Sequence, residues 1–216
     1  MGPFDTIIFD MDGTLLDTLD DLTDSVNYAL EQMGWPARTR EEVRCFMGRG
    51  SETLMRRAAP PDAGQADLDR LLAIYKPYYA AHAKNKTAPY PGILALLNAL
   101  RKRGVKTAVV SNKFDRAVKE LAHVYFSDLL NAAAGEDEAQ GVPKKPDPTM
   151  VTETMALLGA TRAVYVGDTD IDLLTAANAG LPCVSVTWGF RDEDFLTTHG
   201  AATLIHTPME LLSFVT

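Results

Sequence analysis

The chain is poor in cysteine, poorer in basic than in acidic residues, and without a long apolar run. Only Cys45 and Cys183 occur in 216 residues. Two thiols cannot staple a small secreted scaffold, and such sparse use suits a reducing compartment. Both are expected as buried, small apolar side chains. Lysine and arginine number 21 against 29 aspartates and glutamates, a formal net charge of -8. A surface of that sign repels phosphate polymers and anionic lipid, so neither nucleic acid nor membrane is expected as a partner. No segment approaches the ~18 apolar residues of a membrane span. Met1-Gly2-Pro3-Phe4-Asp5 lacks the basic start and apolar stretch of a secretion signal. A cytoplasmic location is the expectation. His82, His123, His199 and His206 are scattered without ligand spacing, which argues against an imidazole-bound metal. Gly48-Arg49-Gly50 lacks the preceding strand and third glycine of a dinucleotide loop, and no P-loop is present.

What is present is an ordinary globular composition, 46% hydrophobic and 23% charged, which excludes a disordered or fibrous chain. Thr6-Ile7-Ile8-Phe9 is short, β-branched and unbroken, as a strand covered on both faces should be. Similar runs recur at Val105 to Val110, Ala163 to Val166 and Cys183 to Val186, each after a helical segment. Ile93, Leu96, Leu97 and Leu100 have helical spacing, and Gly104 supplies a stop. Asp147-Pro148 offers an N-cap and first helical residue for a helix running to Gly159. Strands alternating with helices predict an α/β fold with a doubly wound, parallel sheet, whose site gathers at the carboxyl ends of its strands.

The interval between the first two apolar strands is far longer than the dozen or so residues a crossover needs. It holds no convincing strand. Leu19, Leu22, Val26, Ala29, Leu30 and Met33 mark one amphipathic helix, and Leu68, Leu71, Leu72, Tyr75 and Tyr79 another. We therefore expect a core of residues 1–15 and 89–216 with an inserted, all-helical cap of residues 16–88. Pro89-Tyr90-Pro91-Gly92 forms the return linker. Tyr75, Tyr78 and Tyr79 are expected to pack within the insert.

Polar groups follow the expected strands. They are Asp10 and Asp12 after the first, Ser111-Asn112-Lys113 after the second, Lys145 before the Asp147 helix, and Asp168, Asp170 and Asp172 after Val166. Carboxylates gathered in a dry cleft repel one another unless a cation joins them. An all-oxygen set of Asp10, Asp12 and Asp168 favours a hard ion such as Mg²⁺. With Lys145 and the donors of Ser111 and Asn112, such a centre suits a phosphoryl group. Asp10 is placed to attack phosphorus, and Asp12 to serve the leaving oxygen and then water as general acid and base. Gly13 permits the tight turn between them and the rest of the loop. Asp172 is placed to brace the ligands from one turn along, while Asp170 reads as a solvated helix cap.

These residues resemble the haloacid dehalogenase-like phosphohydrolase superfamily. Its D-x-D-G-T motif matches Asp10-Met11-Asp12-Gly13-Thr14, and its strand ending in Ser or Thr matches Val109-Val110-Ser111. Its lysine before a helix matches Lys145, and its G-D-x-x-x-D matches Gly167 to Asp172. The resemblance implies a Rossmann-like core with a cap, and a Mg²⁺-dependent phosphatase of a small phosphomonoester. It implies that Asp10 is nucleophile and metal ligand, and that the backbone carbonyl of Asp12 and Asp168 complete the protein ligands. Ser111 and Lys145 would hold the phosphoryl group. Haloacid dehalogenation is not implied, because Asp12 is present.

The insert is similar to that of phosphoglycolate phosphatases in Phe46-Met47-Gly48-Arg49-Gly50-Ser51 and Tyr75-Lys76-Pro77-Tyr78-Tyr79, as is Trp188-Gly189-Phe190. This implies 2-phosphoglycolate as substrate, with Arg49 and Lys113 as candidate substrate contacts. Other readings compatible with the residues are a pyrophosphatase, a sugar-phosphate phosphatase, a phosphosugar mutase, or a non-enzymatic phospho-aspartate receiver.

Overall fold

The computed structural model describes residues 3–137 and 140–215. In chain order its elements are β1 (Thr6–Phe9), β2 (Leu16–Asp17), α1 (Leu19–Gln32), α2 (Arg40–Phe46), α3 (Gly50–Ala58) and α4 (Gln65–His82). Then come β3 (Ala88–Pro89), α5 (Ile93–Lys102), β4 (Lys106–Phe114), α6 (Asp115–Phe126), β5 (Ala132–Glu136), α7 (Thr149–Leu158) and β6 (Ala163–Gly167). The last are α8 (Asp170–Asn178), β7 (Cys183–Val186), α9 (Glu193–Thr198) and β8 (Leu204–Ile205), with short 3-10 segments at Ser127–Leu129 and Pro208–Phe214. The chain divides into two compact units, Met1–Leu16 with Pro89–Thr216, and Asp17–Ala88.

The first unit carries six parallel strands in the order β5-β4-β1-β6-β7-β8. β1 sits inside the sheet. Ile7 lies opposite Thr107 and Val164, and Phe9 opposite Val109 and Val166. Alternation along β1 decides which face each side chain joins. Ile7 and Phe9 enter a cluster with Leu97 and Leu100 of α5 and Val118 and Leu121 of α6. Ile8 enters another with Val110, Tyr165, Met150 and Val151 of α7 and Ala176 of α8. Both faces of the sheet are thus covered by helices, which is why β1 has no polar alternation. The chain winds from β1 outward through β4 to β5, then crosses back to β6. The reversal sets the carboxyl ends of β1, β4 and β6 side by side, where open α/β sheets form their sites.

Several expectations need correction. β5 and β8 were not expected as strands: β5 reads Ala-Ala-Ala-Gly-Glu, without the β-branched signal, and β8 has only two residues. β4 does not stop at Val110 but runs through Ser111, Asn112 and Lys113 to Phe114, with a register shift between Ser111 and Phe114. Pro148 stands at the N-cap of α7 rather than inside it, while the Asp147 carboxylate accepts from Thr149 N at 2.9 Å. Cys45 is exposed and Cys183 only half-buried; on the open face of α2, the Cys45 thiol meets the Glu41 carboxylate at 3.7 Å.

The second unit is helical. α1 buries Leu22, Val26, Ala29 and Leu30 along one stripe, and α4 buries Leu68, Leu71, Tyr75 and Tyr79. Tyr78 stacks on Tyr28 at 3.7 Å between ring centroids, and Tyr75 lies parallel to Tyr79. α2 opens on a reciprocal cap, Glu42 N to Thr39 Oγ1 at 3.2 Å and Thr39 N to Glu42 Oε2 at 2.7 Å. Asp21 of α1 is buried, yet its carboxylate is satisfied by the backbone N–H groups of Lys86 and Thr87 at 2.9–3.0 Å. This ties the end of the insert to its first helix. Where the chain enters and leaves, β2 and β3 pair as a two-stranded sheet, which the apolar pattern did not reveal. Among the described residues, no helix is long and apolar enough to cross a membrane.

Candidate active site

β1 hands the chain directly into the site. Asp10 N still bonds to Val166 O at 2.8 Å, and Met11 N donates to Asp10 Oδ1 at 2.7 Å. The backbone then doubles back, with Leu15 N and Leu16 N both on Met11 O at 3.0 Å and Gly13 N on Leu16 O at 2.9 Å. Gly13 has φ +86°, and a Cβ there would fall 2.3 Å from Asp168 Oδ2. Both facts demand glycine. Gly189 is needed for a similar reason, since a Cβ there would lie 2.4 Å from Asp168 Oδ2 and from Gly13 O.

β4 supplies the second wall. Ser111, Asn112 and Lys113 are all buried. The Asn112 amide grips the backbone of Lys145 from both sides, Nδ2 donating to Lys145 O at 3.0 Å and Oδ1 accepting from Lys145 N at 2.7 Å. Asn112 thereby fixes where the Lys145 side chain begins. The ammonium ends in a dry pocket among Asp10 Oδ1 at 3.0 Å, Asp172 Oδ1 at 2.8 Å and the Tyr165 hydroxyl at 2.9 Å.

β6 and α8 form the third wall. Asp168 is fully enclosed, with Oδ1 accepting from Thr14 Oγ1 at 3.0 Å and Oδ2 from Phe190 N at 2.7 Å. Trp188 Nε1 donates to Thr14 O at 3.0 Å, so the Trp188-Gly189-Phe190 turn holds both the first loop and Asp168. Thr169, not Asp170, is the N-cap of α8, and Asp172 is its capping-box partner. Asp172 Oδ2 takes bonds from Asp168 N, Thr169 N and Thr169 Oγ1 at 3.2, 3.0 and 2.7 Å, leaving Oδ1 for Lys145.

The carboxylates that gather are Asp10, Asp168 and Asp172, whose oxygens lie within 4.8 Å of one another. The Asp12 carboxylate stands apart from this trio. Its Oδ1 is in charge contact with Lys113 Nζ at 3.0 Å, without a directed hydrogen bond. Arg49 belongs to the other unit, where it is exposed at the N-cap of α3. Tyr165 and Thr14 contact the cluster directly, though the strand and motif patterns gave them no role. The signal that could have revealed Tyr165 is a phenol in an otherwise aliphatic central strand, since a buried hydroxyl needs partners.

Burial, with the charges of Asp172 and Asp12, pushes the Asp10 carboxyl up to about 7 against the pull of Lys145. Burial, with the charges of Asp172 and Asp10, holds Asp168 well above the usual carboxylate range. Burial also works against the Lys145 ammonium, but Asp10 and Asp172 overcome it and hold Lys145 well above its ordinary value. Three ionised carboxylates against one ammonium would leave a formal charge of minus two in a buried cluster, which is why protons are held there when no cation is bound. The donors are all oxygen, which suits a hard divalent cation. Asp172 accepts three bonds on Oδ2 and two on Oδ1, whereas Asp168 accepts one on each oxygen and Asp10 is engaged through Oδ1, so Asp10 and Asp168 are the members with lone pairs to spare.

Residues 7–186 match the haloacid dehalogenase-like hydrolase family. The chain belongs to this family. It is 35% identical over 208 residues to a phosphoglycolate phosphatase of Mesorhizobium japonicum, covering 93% of this chain and 90% of that protein. It is 36% identical over 214 residues to another of Caulobacter vibrioides, with coverages of 95% and 88%. A crystal structure from Lactobacillus delbrueckii subsp. bulgaricus, provisionally named phosphoglycolate phosphatase, superposes with a TM-score of 0.94 at 39% identity, covering 99% of each chain. This haloacid dehalogenase-like chain is a phosphoric monoester hydrolase with an α/β core and a helical insert.

Proposed function

We propose that the protein hydrolyses 2-phosphoglycolate to glycolate and inorganic phosphate, with Asp10 as the nucleophile. The observation that carries this reading is the buried set of Asp10, Lys145 and Asp168 at one sheet edge, in a chain whose relatives carry that name. A carboxylate oxygen of Asp10 attacks phosphorus and forms an acyl phosphate as the ester P–O bond breaks. Asp12 gives its proton to the departing glycolate oxygen. The Asp12 carboxylate then takes a proton from water as that water attacks phosphorus. Phosphate leaves and Asp10 is restored as a carboxylate. Lys145, with Ser111 and Asn112, steadies the phosphoryl oxygens, and Gly13 leaves room for the backbone to approach them. Asp172 braces Lys145 and the turn carrying Asp168. Lys113 and Arg49 are the candidate contacts for the substrate's carboxylate.

Asp10, Asp168 and the backbone carbonyl of Asp12 would hold Mg²⁺. A bound Mg²⁺ offsets the negative charge of the carboxylates and of the phosphoryl group. The first unit is the catalytic core and residues 16–88 the cap. The test is phosphate release from a panel of 2-phosphoglycolate, sugar phosphates and pyrophosphate, with Mg²⁺ and after EDTA. Preference for 2-phosphoglycolate, lost in EDTA and regained with Mg²⁺, supports the reading. Preference for another ester refutes the substrate, and phosphotransfer without released phosphate refutes hydrolysis.

A further inference from the structure

We infer that Tyr165 is a positioning residue for phosphoryl transfer, acting through Lys145. The inference rests on the phosphatase chemistry proposed above. Tyr165 lies on β6, fully buried, with its ring in the apolar cluster of Ile8, Val110 and Met150. Its hydroxyl is a junction of three groups. Lys145 Nζ donates to it at 2.9 Å, and it lies 3.1 Å from Val110 O and 3.3 Å from Asp172 Oδ1. A phenol has one proton to give. Val110 O is nearer than the carboxylate and closes the β4 side, so the oxygen lone pairs remain for Lys145.

The geometry matters because Lys145 has three N–H bonds to direct. Asp172 and Tyr165 take two, and the third points to Asp10 at 3.0 Å. Two fixed acceptors determine where the remaining N–H points. Without the hydroxyl the ammonium keeps its charge and its two carboxylates, but Nζ loses the acceptor that holds it on the β6 side. Asp172 fixes the torsion about the Cε–Nζ bond but does not stop Nζ from shifting into the space the hydroxyl leaves, and the contact with the nucleophile then lengthens. The hydroxyl's hydrogen bonds run to Lys145, Val110 O and Asp172, and among the described residues none runs to Asp10, so its effect on the nucleophile passes through the ammonium.

The experiment is a double-substitution cycle on the full chain with Mg²⁺. It uses wild type, Tyr165→Phe, Lys145→Ala and the double variant, assayed with 2-phosphoglycolate and para-nitrophenyl phosphate and checked by thermal unfolding. Tyr165→Phe should lower kcat about tenfold while moving KM less than about threefold, as expected for losing one hydrogen bond to a charged group. In the Lys145→Ala background the same change should cost less than about twofold, because the group it acts through is gone. An unchanged kcat in Tyr165→Phe overturns the inference. So does an equal loss in both backgrounds, which is the signature of a purely structural tyrosine. Should Tyr165→Phe fail to accumulate, Tyr165→Met, which also removes the hydroxyl while filling the apolar site, takes its place under the same two criteria. Inactive wild type on both esters overturns the underlying phosphatase reading instead.

Discussion

Both units bury aspartates, and the two cases differ in what surrounds the charge. In the helical insert, Asp21 is met by the backbone N–H groups of Lys86 and Thr87, with no other buried carboxylate sharing those donors. In the α/β unit, Asp10, Asp168 and Asp172 crowd within 4.8 Å around a single ammonium, and two of them are pushed to retain protons. The first arrangement is complete as it stands and holds chain segments together. The second, once ionised, carries excess negative charge that a cation can neutralise. Burial of a carboxylate therefore does not by itself distinguish structure from chemistry. Whether donors match the charge does.

Substitution should separate the two regions sharply. Asp10→Asn is expected to lower kcat by on the order of 10⁵-fold, as losing a nucleophile does, while thermal unfolding in EDTA at pH 8 occurs at or above the wild-type temperature because a repelled charge has been removed. Asp21→Ala should behave in the opposite sense. The buried N–H of Thr87 loses its acceptor, at ~1–3 kcal/mol, the partly buried N–H of Lys86 loses its own at smaller cost, and Tm should fall by about 5–10 °C. The kcat of the folded fraction should stay within about threefold. If Asp21→Ala silences the enzyme while leaving Tm intact, or Asp10→Asn merely destabilises it, the distinction between the regions fails.

The smallest expected effect is a pH dependence. A carboxyl raised in the folded state binds more protons there than when unfolded, so its stabilising contribution is full below its ordinary range near 4 and is lost as pH rises through about 7. The EDTA-treated protein should lose a few degrees of Tm between pH 5 and pH 8. Mg²⁺ should restore more at pH 8 than at pH 5, because only the ionised cluster needs it. Calorimetric scans at both pH values decide this, and a Tm insensitive to both pH and Mg²⁺ would contradict it.

The motif residues were legible in the sequence because polar groups directly after apolar β-branched runs cannot join the core that those runs build. Asp10, Lys145, Asp168 and Asp172 are indeed at one edge of the sheet. The sequence was less informative where a local signal points the wrong way. Ser111-Asn112-Lys113 has turn-like composition, yet β4 carries it in extended form, with β5 pairing Ser111 to Gly135 and Phe114 to Glu136 on either side of a register shift. β5 itself is alanine and glycine, small enough for a close approach in which a Cβ on Gly135 would lie 2.5 Å from the Asp115 backbone. Asp21 has no sequence signal of its role, and only the fold brings Lys86 and Thr87 to it. Tyr165 was hidden by being apolar in pattern and polar in contact. Each of these depends on a partner distant in sequence, which periodicity cannot show.

The most direct measurement is an acid-quenched turnover followed by peptide mass analysis to find where phosphorus has been held. The account predicts one phosphoryl group on the peptide carrying Asp10, formed with Mg²⁺ present and absent from Asp10→Asn. A phosphoryl group on any other residue, or full activity in the Asp10→Asn protein, would contradict it.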